Sequence, residues 1–150
     1  MRALGFDFGS VYVKGILLDS DGRVSSTLYK KRGVDDFSAI SQFLANIFAE
    51  FPGEKFKTGI TGFSRTGESG KDAVIVNPLQ ATVLGARRLG FAGSSILEAG
   101  GQHARFISID SGEQCSIREF AINDVCASGS GMFIEQQAGR LKMKIGRAHV

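Results

Sequence analysis

Glycines at the ends of short apolar runs constrain the fold of this chain most strongly. The 150 residues include 20 glycines but only 2 prolines, and the glycines gather at a few positions. Gly9 follows the apolar run of residues 3–8, and Gly100 follows the run of residues 94–99. Because glycine lets the backbone turn tightly and lets a ligand approach it closely, these positions predict tight turns between strands.

The periodicity of apolar residues predicts an α/β protein with a mixed sheet and helices packed on it. Asp21-Gly22 is a strong hairpin signal between two such runs. Seven apolar residues at helical spacing, from Phe37 to Phe51, predict a helix with one apolar stripe. Strands are expected over residues 3–8, 12–19, 24–29, 57–63, 94–99, 104–109 and 114–122, and helices over 36–51, 78–88 and 130–142. The two halves are expected to repeat a strand–turn–strand unit.

Composition narrows the class of protein. Hydrophobic residues make up 43% and charged residues 22%, as in globular domains. No apolar run is long enough to cross a bilayer, and no signal peptide precedes the first strand pattern, so we expect a cytoplasmic protein without a membrane partner. The net charge of +3 is scattered and nothing aromatic interleaves with the basic runs, so we expect no nucleic-acid partner.

The first candidate site is an acid followed by a glycine turn. Asp7, Gly9 and Ser10 lie where one strand ends, and Lys14 lies on the next strand. Backbone N–H groups of such a turn can bind phosphate, while Asp7 holds Mg²⁺ through water and Lys14 neutralises phosphate charge. An ordinary hairpin is the alternative interpretation of this motif.

The second candidate site repeats this arrangement. Glu98 ends a strand and is followed by Gly100, Gly101 and Gln102. Glu98 could orient Mg²⁺ or the attacking water, and Gln102 could contact the γ-phosphate, so these two residues are the catalytic candidates. Two phosphate turns at this spacing resemble the sugar kinase, actin and chaperone ATPase superfamily, in which nucleotide lies in a cleft between two domains.

The third candidate site is a cysteine before a helix. Cys126 precedes a Gly/Ser turn that opens the last predicted helix. The N-terminal end of a helix favours negative charge and therefore the thiolate, which is the form that binds iron. A buried small apolar residue at a packed turn is the alternative.

This third motif resembles a known family. The segment from Asn123 to Gly131 reads Asn-Asp-Val-Cys-Ala-Ser-Gly-Ser-Gly. It is similar to the motif Asn-Asp-x-Cys-Ala-Ala-Gly-Thr-Gly of the 2-hydroxyacyl-CoA dehydratase activators and the benzoyl-CoA reductase ATPase subunits. The resemblance spans nearly all of residues 3–144. It implies a ribonuclease H-like, actin-like ATPase fold: a mixed five-stranded sheet with flanking helices, followed by the start of the second domain.

The resemblance also implies cofactors and partners. It implies Mg²⁺ and ATP as ligands and a homodimer that shares one four-iron four-sulfur cluster, with Cys126 as the first of two cysteine ligands from each subunit. ATP hydrolysis would then drive a low-potential electron into a dehydratase or reductase component.

Departures from the family keep other interpretations open. His103 stands where the family usually has Asp, and a neutral imidazole cannot do the charge work of a carboxylate on Mg²⁺. Cys115 does not match the second cluster cysteine, which is expected downstream. Arg65 is read as a solvated loop residue or as a neighbour of the nucleotide. A sugar or amino-sugar kinase, or a regulatory domain that binds nucleotide without hydrolysing it, are the alternative functions.

The last six residues stand apart from the rest. Residues 145–150 have no periodicity and match the peptide read from a common sequencing adapter. We therefore expect residues 1–144 to be a truncated N-terminal ATPase domain, inactive by itself, and residues 145–150 to be a non-native tail.

Overall fold

The computed structural model of the protein describes residues 1–33, 36–62, 73–101, 103–110, 116–123 and 131–143. The chain divides into two compact units, Met1–Ala81 and Thr82–Val150. In chain order the elements are β1 (Ala3–Phe8), β2 (Tyr12–Leu18), β3 (Val24–Lys31), α1 (Asp36–Glu50), β4 (Lys57–Gly62), β5 (Ala73–Ile75), α2 (Pro78–Arg88), β6 (Ser95–Ala99), β7 (Ala104–Ile109), β8 (Ile117–Ile122) and α3 (Gly131–Arg140).

A mixed five-stranded sheet forms the centre of the first unit. Its strand order is β3-β2-β1-β4-β5. β1 runs antiparallel to β2 and parallel to β4, while β2 and β3 form the hairpin predicted at Asp21-Gly22. The expected mixed five-stranded sheet is thus confirmed. Because β1 is central, its carboxyl end has a neighbouring strand on each side.

One face of this sheet is covered by α1. Leu4, Phe6 and Leu17 from the sheet form a core cluster with Phe43 and Ile47 from the helix. Burial of these apolar side chains is the main force holding the layers together, at about 25 cal/mol for each Å² removed from water.

Two members of the predicted apolar stripe lie outside this core. Phe37 is 72% exposed and Phe48 is 51% exposed. The helix predicted from this periodicity is present, but the predicted apolar stripe is wider than the face that the sheet covers. The Phe48 ring lies instead 5.9 Å from the Phe56 ring, centroid to centroid.

A three-stranded antiparallel sheet, β6-β7-β8, lies in the second unit. Ile107 and Ile109 of β7 and Val83 of α2 are fully buried. Met132 of α3 is half-buried, whereas Phe133 is exposed.

The predicted strands and helices are all present in the described residues, with ends that differ by up to three residues. Strand β5 has no counterpart among the predicted strands, because a strand of three residues is too short to show alternation. Residues 63–72, between β4 and β5, lie outside the described residues. Where the structure describes helices, none is long and apolar enough to cross a membrane.

Candidate phosphate-binding hairpins

The two predicted phosphate turns are hairpins of the same length and register. Between β1 and β2, Asp7 pairs with Lys14 and Phe8 pairs with Val13. Between β6 and β7, Glu98 pairs with Arg105 and Ala99 pairs with Ala104. In both hairpins an acid on the first strand lies directly opposite a base on the second. The repeated strand–turn–strand unit expected from the sequence is therefore present.

The first hairpin joins a carboxylate to a tight turn. Lys14 Nζ donates a hydrogen bond of 3.0 Å to Asp7 Oδ2, and both side chains are partly exposed. A side chain at Gly9 would place its Cβ 2.8 Å from the Tyr12 carbonyl oxygen, so only glycine fits without a backbone shift. Ser10 lies in the same turn.

Arg32, which follows β3, donates two hydrogen bonds to this turn. Its backbone N–H donates to the Val11 carbonyl at 2.7 Å, and its Nη1 donates to the Gly9 carbonyl at 3.3 Å. Two backbone carbonyls of the turn are thereby occupied by protein donors, which fixes the turn to the edge strand of the sheet.

In the second hairpin, two side chains contact the carboxylate of Glu98. Glu98 Oε2 accepts a hydrogen bond of 3.1 Å from the Thr82 hydroxyl and lies 3.5 Å from Arg105 Nη1. A Cβ at Gly100 would lie 3.1 Å from the His103 carbonyl oxygen, which already accepts the Gly100 N–H at 2.7 Å. Gly100 thus occupies the position in this turn that Gly9 occupies in the first.

The first residues of α3 are bound to the second turn. The Gly131 N–H donates to the Gly100 carbonyl at 2.8 Å, and the Met132 N–H donates to the Gly101 carbonyl at 3.0 Å. The first N–H groups of a helix have no partner within the helix, so these two bonds satisfy them and cap α3. The start of α3 is therefore tied to the backbone of the glycine turn.

Several predicted site residues lie outside the described residues. These are Gln102, Cys126, Cys115, Arg65 and the tail of residues 145–150. Within the part of the chain that the structure describes, no group of three or more His, Cys, Asp or Glu side chains could hold a metal ion. The roles assigned to Gln102 and Cys126 stay predictions.

Sequence reasoning missed two residues beside the predicted acids. Arg105 lies opposite Glu98 as Lys14 lies opposite Asp7. The equal spacing of the two acid–base pairs along the chain was a signal that could have identified it. Thr61 lies beside Asp7 on the parallel strand β4. Its position could not be read from local sequence, because it depends on the pairing of distant strands.

The first hairpin suits a phosphate group with a hydrated magnesium ion. Magnesium usually retains several waters and is bound by one or two carboxylates together with phosphate oxygens. Asp7 provides the carboxylate, Lys14 provides a cation next to it, and Gly9 keeps the turn free of a side chain. These residue types match what the ligand requires.

Comparison with known proteins identifies relatives across most of the chain. No family model matches it. The protein YjiL of Escherichia coli, whose function is uncharacterised, is 31% identical over 133 residues, which are 89% of this chain and 50% of YjiL. The (R)-2-hydroxyglutaryl-CoA dehydratase activating ATPase of Acidaminococcus fermentans is 26% identical over 145 residues, which are 95% of this chain and 54% of that protein.

The solved structure of a dehydratase activator shares the fold of this chain. The activator of the 2-hydroxyisocaproyl-CoA dehydratase from Clostridium difficile, solved with bound ADPNP, has a TM-score of 0.80 and 22% identity. The match covers 100% of this chain and 59% of that one. The actin-like ATPase fold expected from the resemblance is thus confirmed.

These matches cover only part of each relative. The chain spans about half the length of the curated relatives it matches, 50% to 56% of each. Three of those relatives carry the name of a dehydratase activator or activating ATPase. Over about half of their length, this chain is therefore similar in sequence and in fold to the 2-hydroxyacyl-CoA dehydratase activators.

Proposed function

We propose that the whole protein is an ATPase that activates a 2-hydroxyacyl-CoA dehydratase or a benzoyl-CoA reductase type enzyme by donating a low-potential electron. The homology to named activators supports the activator role. The two hairpins, each with an acid at a glycine turn, support nucleotide binding.

The proposed roles divide between the hairpins. Asp7 holds a hydrated magnesium ion, while Gly9, Ser10 and Lys14 contact phosphate oxygens. In the second hairpin, the Gly100–Gly101 turn approaches the nucleotide, and Glu98 with Gln102 orients the attacking water against the γ-phosphate. Glu98 is suited to this role because the Thr82 hydroxyl and Arg105 restrict the orientation of its carboxylate. A held carboxylate needs little reorganisation when the water is deprotonated.

The observation that carries the proposal is the bonding of α3 to the second turn. Gly131 and Met132 donate to the carbonyls of Gly100 and Gly101, and Cys126 lies five residues before Gly131 in the sequence. A shift of the glycine turn when nucleotide binds or is hydrolysed must move the start of α3 or break these two bonds. The start of α3 is then mechanically coupled to the nucleotide turn, and Cys126 belongs to the segment that precedes α3 in the sequence.

The proposed electron carrier is a four-iron four-sulfur cluster shared by a homodimer. When bound, such a cluster supplies one electron at low potential. Cys126 is the proposed ligand from this part of the chain, and a second cysteine of each subunit would complete the set. Nucleotide contributes by stabilising one dimer geometry over another, through its different affinity for the two geometries.

The test compares two cysteine substitutions in the protein expressed from its complete gene. After anaerobic reconstitution with iron and sulfide, we expect the Cys126→Ala variant to lose bound iron and the visible absorption of the cluster. The matched control, Cys115→Ala, should retain both. A normal cluster in the Cys126→Ala variant would remove this cysteine from the proposal, and ATP hydrolysis by the unsubstituted protein tests the ATPase separately.

One observation favours a second candidate function. His103 stands at the position where the family usually has an acid. A domain that binds nucleotide without hydrolysing it would be consistent with this substitution, since a neutral imidazole cannot replace a carboxylate on Mg²⁺. Tight ATP binding with no phosphate release by the complete protein would identify this function.

A further inference from the structure

Thr61 is the strand neighbour of Asp7 on the side opposite Lys14. β1 and β4 are parallel, and their register pairs Asp7 with Thr61. Residues paired across neighbouring strands project from the same face of a sheet. The carboxyl end of β1 therefore carries three polar side chains side by side on one face, Lys14, Asp7 and Thr61.

The Thr61 hydroxyl is buried without a partner. Among the described residues, its Oγ1 is one of three buried side-chain polar atoms that make no hydrogen bond. Leaving a buried hydroxyl unpaired costs about 1–3 kcal/mol, so such atoms are rare in folded proteins and mark places where a ligand or water can bind.

The backbone of β4 approaches the Asp7 carboxylate closely at this point. Gly62 has a φ of 92°, which L-residues rarely adopt, and a Cβ on it would lie 2.8 Å from Asp7 Oδ1. Glycine at this position lets the carboxylate lie against the end of β4, next to the Thr61 position. A Cβ there would also meet the Phe8 carbonyl oxygen, so the backbones of β1 and β4 are themselves close at this point.

The second unit shows what a threonine does beside the equivalent acid. There the Thr82 hydroxyl donates directly to Glu98 at 3.1 Å. Beside Asp7, the Thr61 hydroxyl makes no such bond, although it lies on the adjoining strand. The two acids thus differ in that Glu98 is bonded to its threonine, while the hydroxyl on the strand beside Asp7 has no protein partner.

We propose that Thr61 is a positioning residue for magnesium, and that its Oγ1 accepts a hydrogen bond from a water of the hydrated ion held by Asp7. A metal-bound water is a strong donor, and magnesium retains several of its waters in protein sites. The ion's water would satisfy the buried oxygen and fix the position of the ion over the phosphate turn. This role rests on the proposed nucleotide site.

The test separates the metal from the nucleotide. Binding of ATP to the protein from its complete gene would be measured by calorimetry, once with excess Mg²⁺ and once with EDTA. Thr61→Val has nearly the same shape but no hydroxyl, and Thr61→Ser keeps the hydroxyl. We expect Thr61→Val to weaken Mg-ATP binding about tenfold and to leave metal-free ATP binding unchanged, as the loss of one hydrogen bond to a charged group would do.

Control measurements distinguish this role from a structural one. Thr61→Ser should bind Mg-ATP within about twofold of the unsubstituted protein, because it still has the acceptor oxygen. Without nucleotide, Thr61→Val should melt at the same or a higher temperature, since it removes an unpaired buried polar group. A lower melting temperature together with weaker metal-free binding would show a structural role and overturn the proposal.

Two further outcomes distinguish the role of Thr61 from the nucleotide site itself. If the unsubstituted protein binds Mg-ATP and Thr61→Val binds it equally well, the role of Thr61 is wrong and the nucleotide site stands. If the unsubstituted protein binds ATP neither with magnesium nor with EDTA, the nucleotide site and the role of Thr61 are both wrong.

Discussion

The two hairpins have the same backbone register but different surroundings for their acids. Asp7 forms an exposed ion pair with Lys14, whereas Glu98 is held by both Thr82 and Arg105. Asp7 lies in the middle of a five-stranded sheet, with a neighbouring strand on each side, while β6 is an edge strand of its three-stranded sheet. One backbone motif can therefore hold its acid in two different ways, because neighbouring elements determine how firmly each acid is held.

The largest expected effect is on the rate of ATP hydrolysis, and it tests whether the two acids have different roles. Glu98→Gln should lower the turnover number for ATP hydrolysis by about 100-fold with little change in Mg-ATP affinity, since the amide cannot act as a base. Asp7→Asn should mainly weaken Mg-ATP binding. Steady-state kinetics and calorimetry on both variants of the complete protein would measure this. Equal losses in the same parameter would contradict a division of roles.

The glycines of the two turns should differ in their tolerance of a side chain. Gly9→Ala would place a Cβ 2.8 Å from a carbonyl oxygen, against 3.1 Å for Gly100→Ala. We expect Gly9→Ala to lower the free energy of unfolding by about 1–3 kcal/mol and Gly100→Ala by less. Urea unfolding measures both. Gly33→Ala, with no atom within 4 Å of its Cβ, is the control.

The smallest expected effect concerns the two ion pairs. Without nucleotide, Lys14→Met should change the free energy of unfolding by less than about 0.5 kcal/mol, because the pair it breaks is exposed. Arg105→Met should cost more, about 1 kcal/mol, since the Arg105 side chain is only 19% exposed. Thermal unfolding at low and high salt would compare them. An equal loss for both would show that the surroundings of the two pairs do not matter.

Much of the fold could be predicted because it is locally encoded. Pro78 and Arg88 bound α2 where the sequence analysis placed its ends. The hairpin at Asp21-Gly22 is present, with Gly22 at a φ of 76°. Prolines and glycines restrict or extend the backbone at their own positions, so their effect does not depend on distant residues.

The parts that escaped prediction depend on distant neighbours. Phe37 and Phe48 are exposed because the sheet covers only part of the apolar stripe of α1. Thr61, whose hydroxyl is unpaired, could be placed beside Asp7 only from the parallel pairing of β1 with β4, which no local pattern specifies.

The sequence by itself determined where tight turns lie between strands and which acidic and basic residues lie near them. The reason is that the conformational freedom of glycine and the charge of a side chain are properties of single residues. Only the tertiary structure decided that α3 begins on the Gly100–Gly101 turn and that a threonine lies beside each acid. The physical reason is that these contacts join strands and helices far apart in the chain. Which of them meet is set by the packing of the whole unit, through the burial of apolar side chains and the pairing of backbone groups.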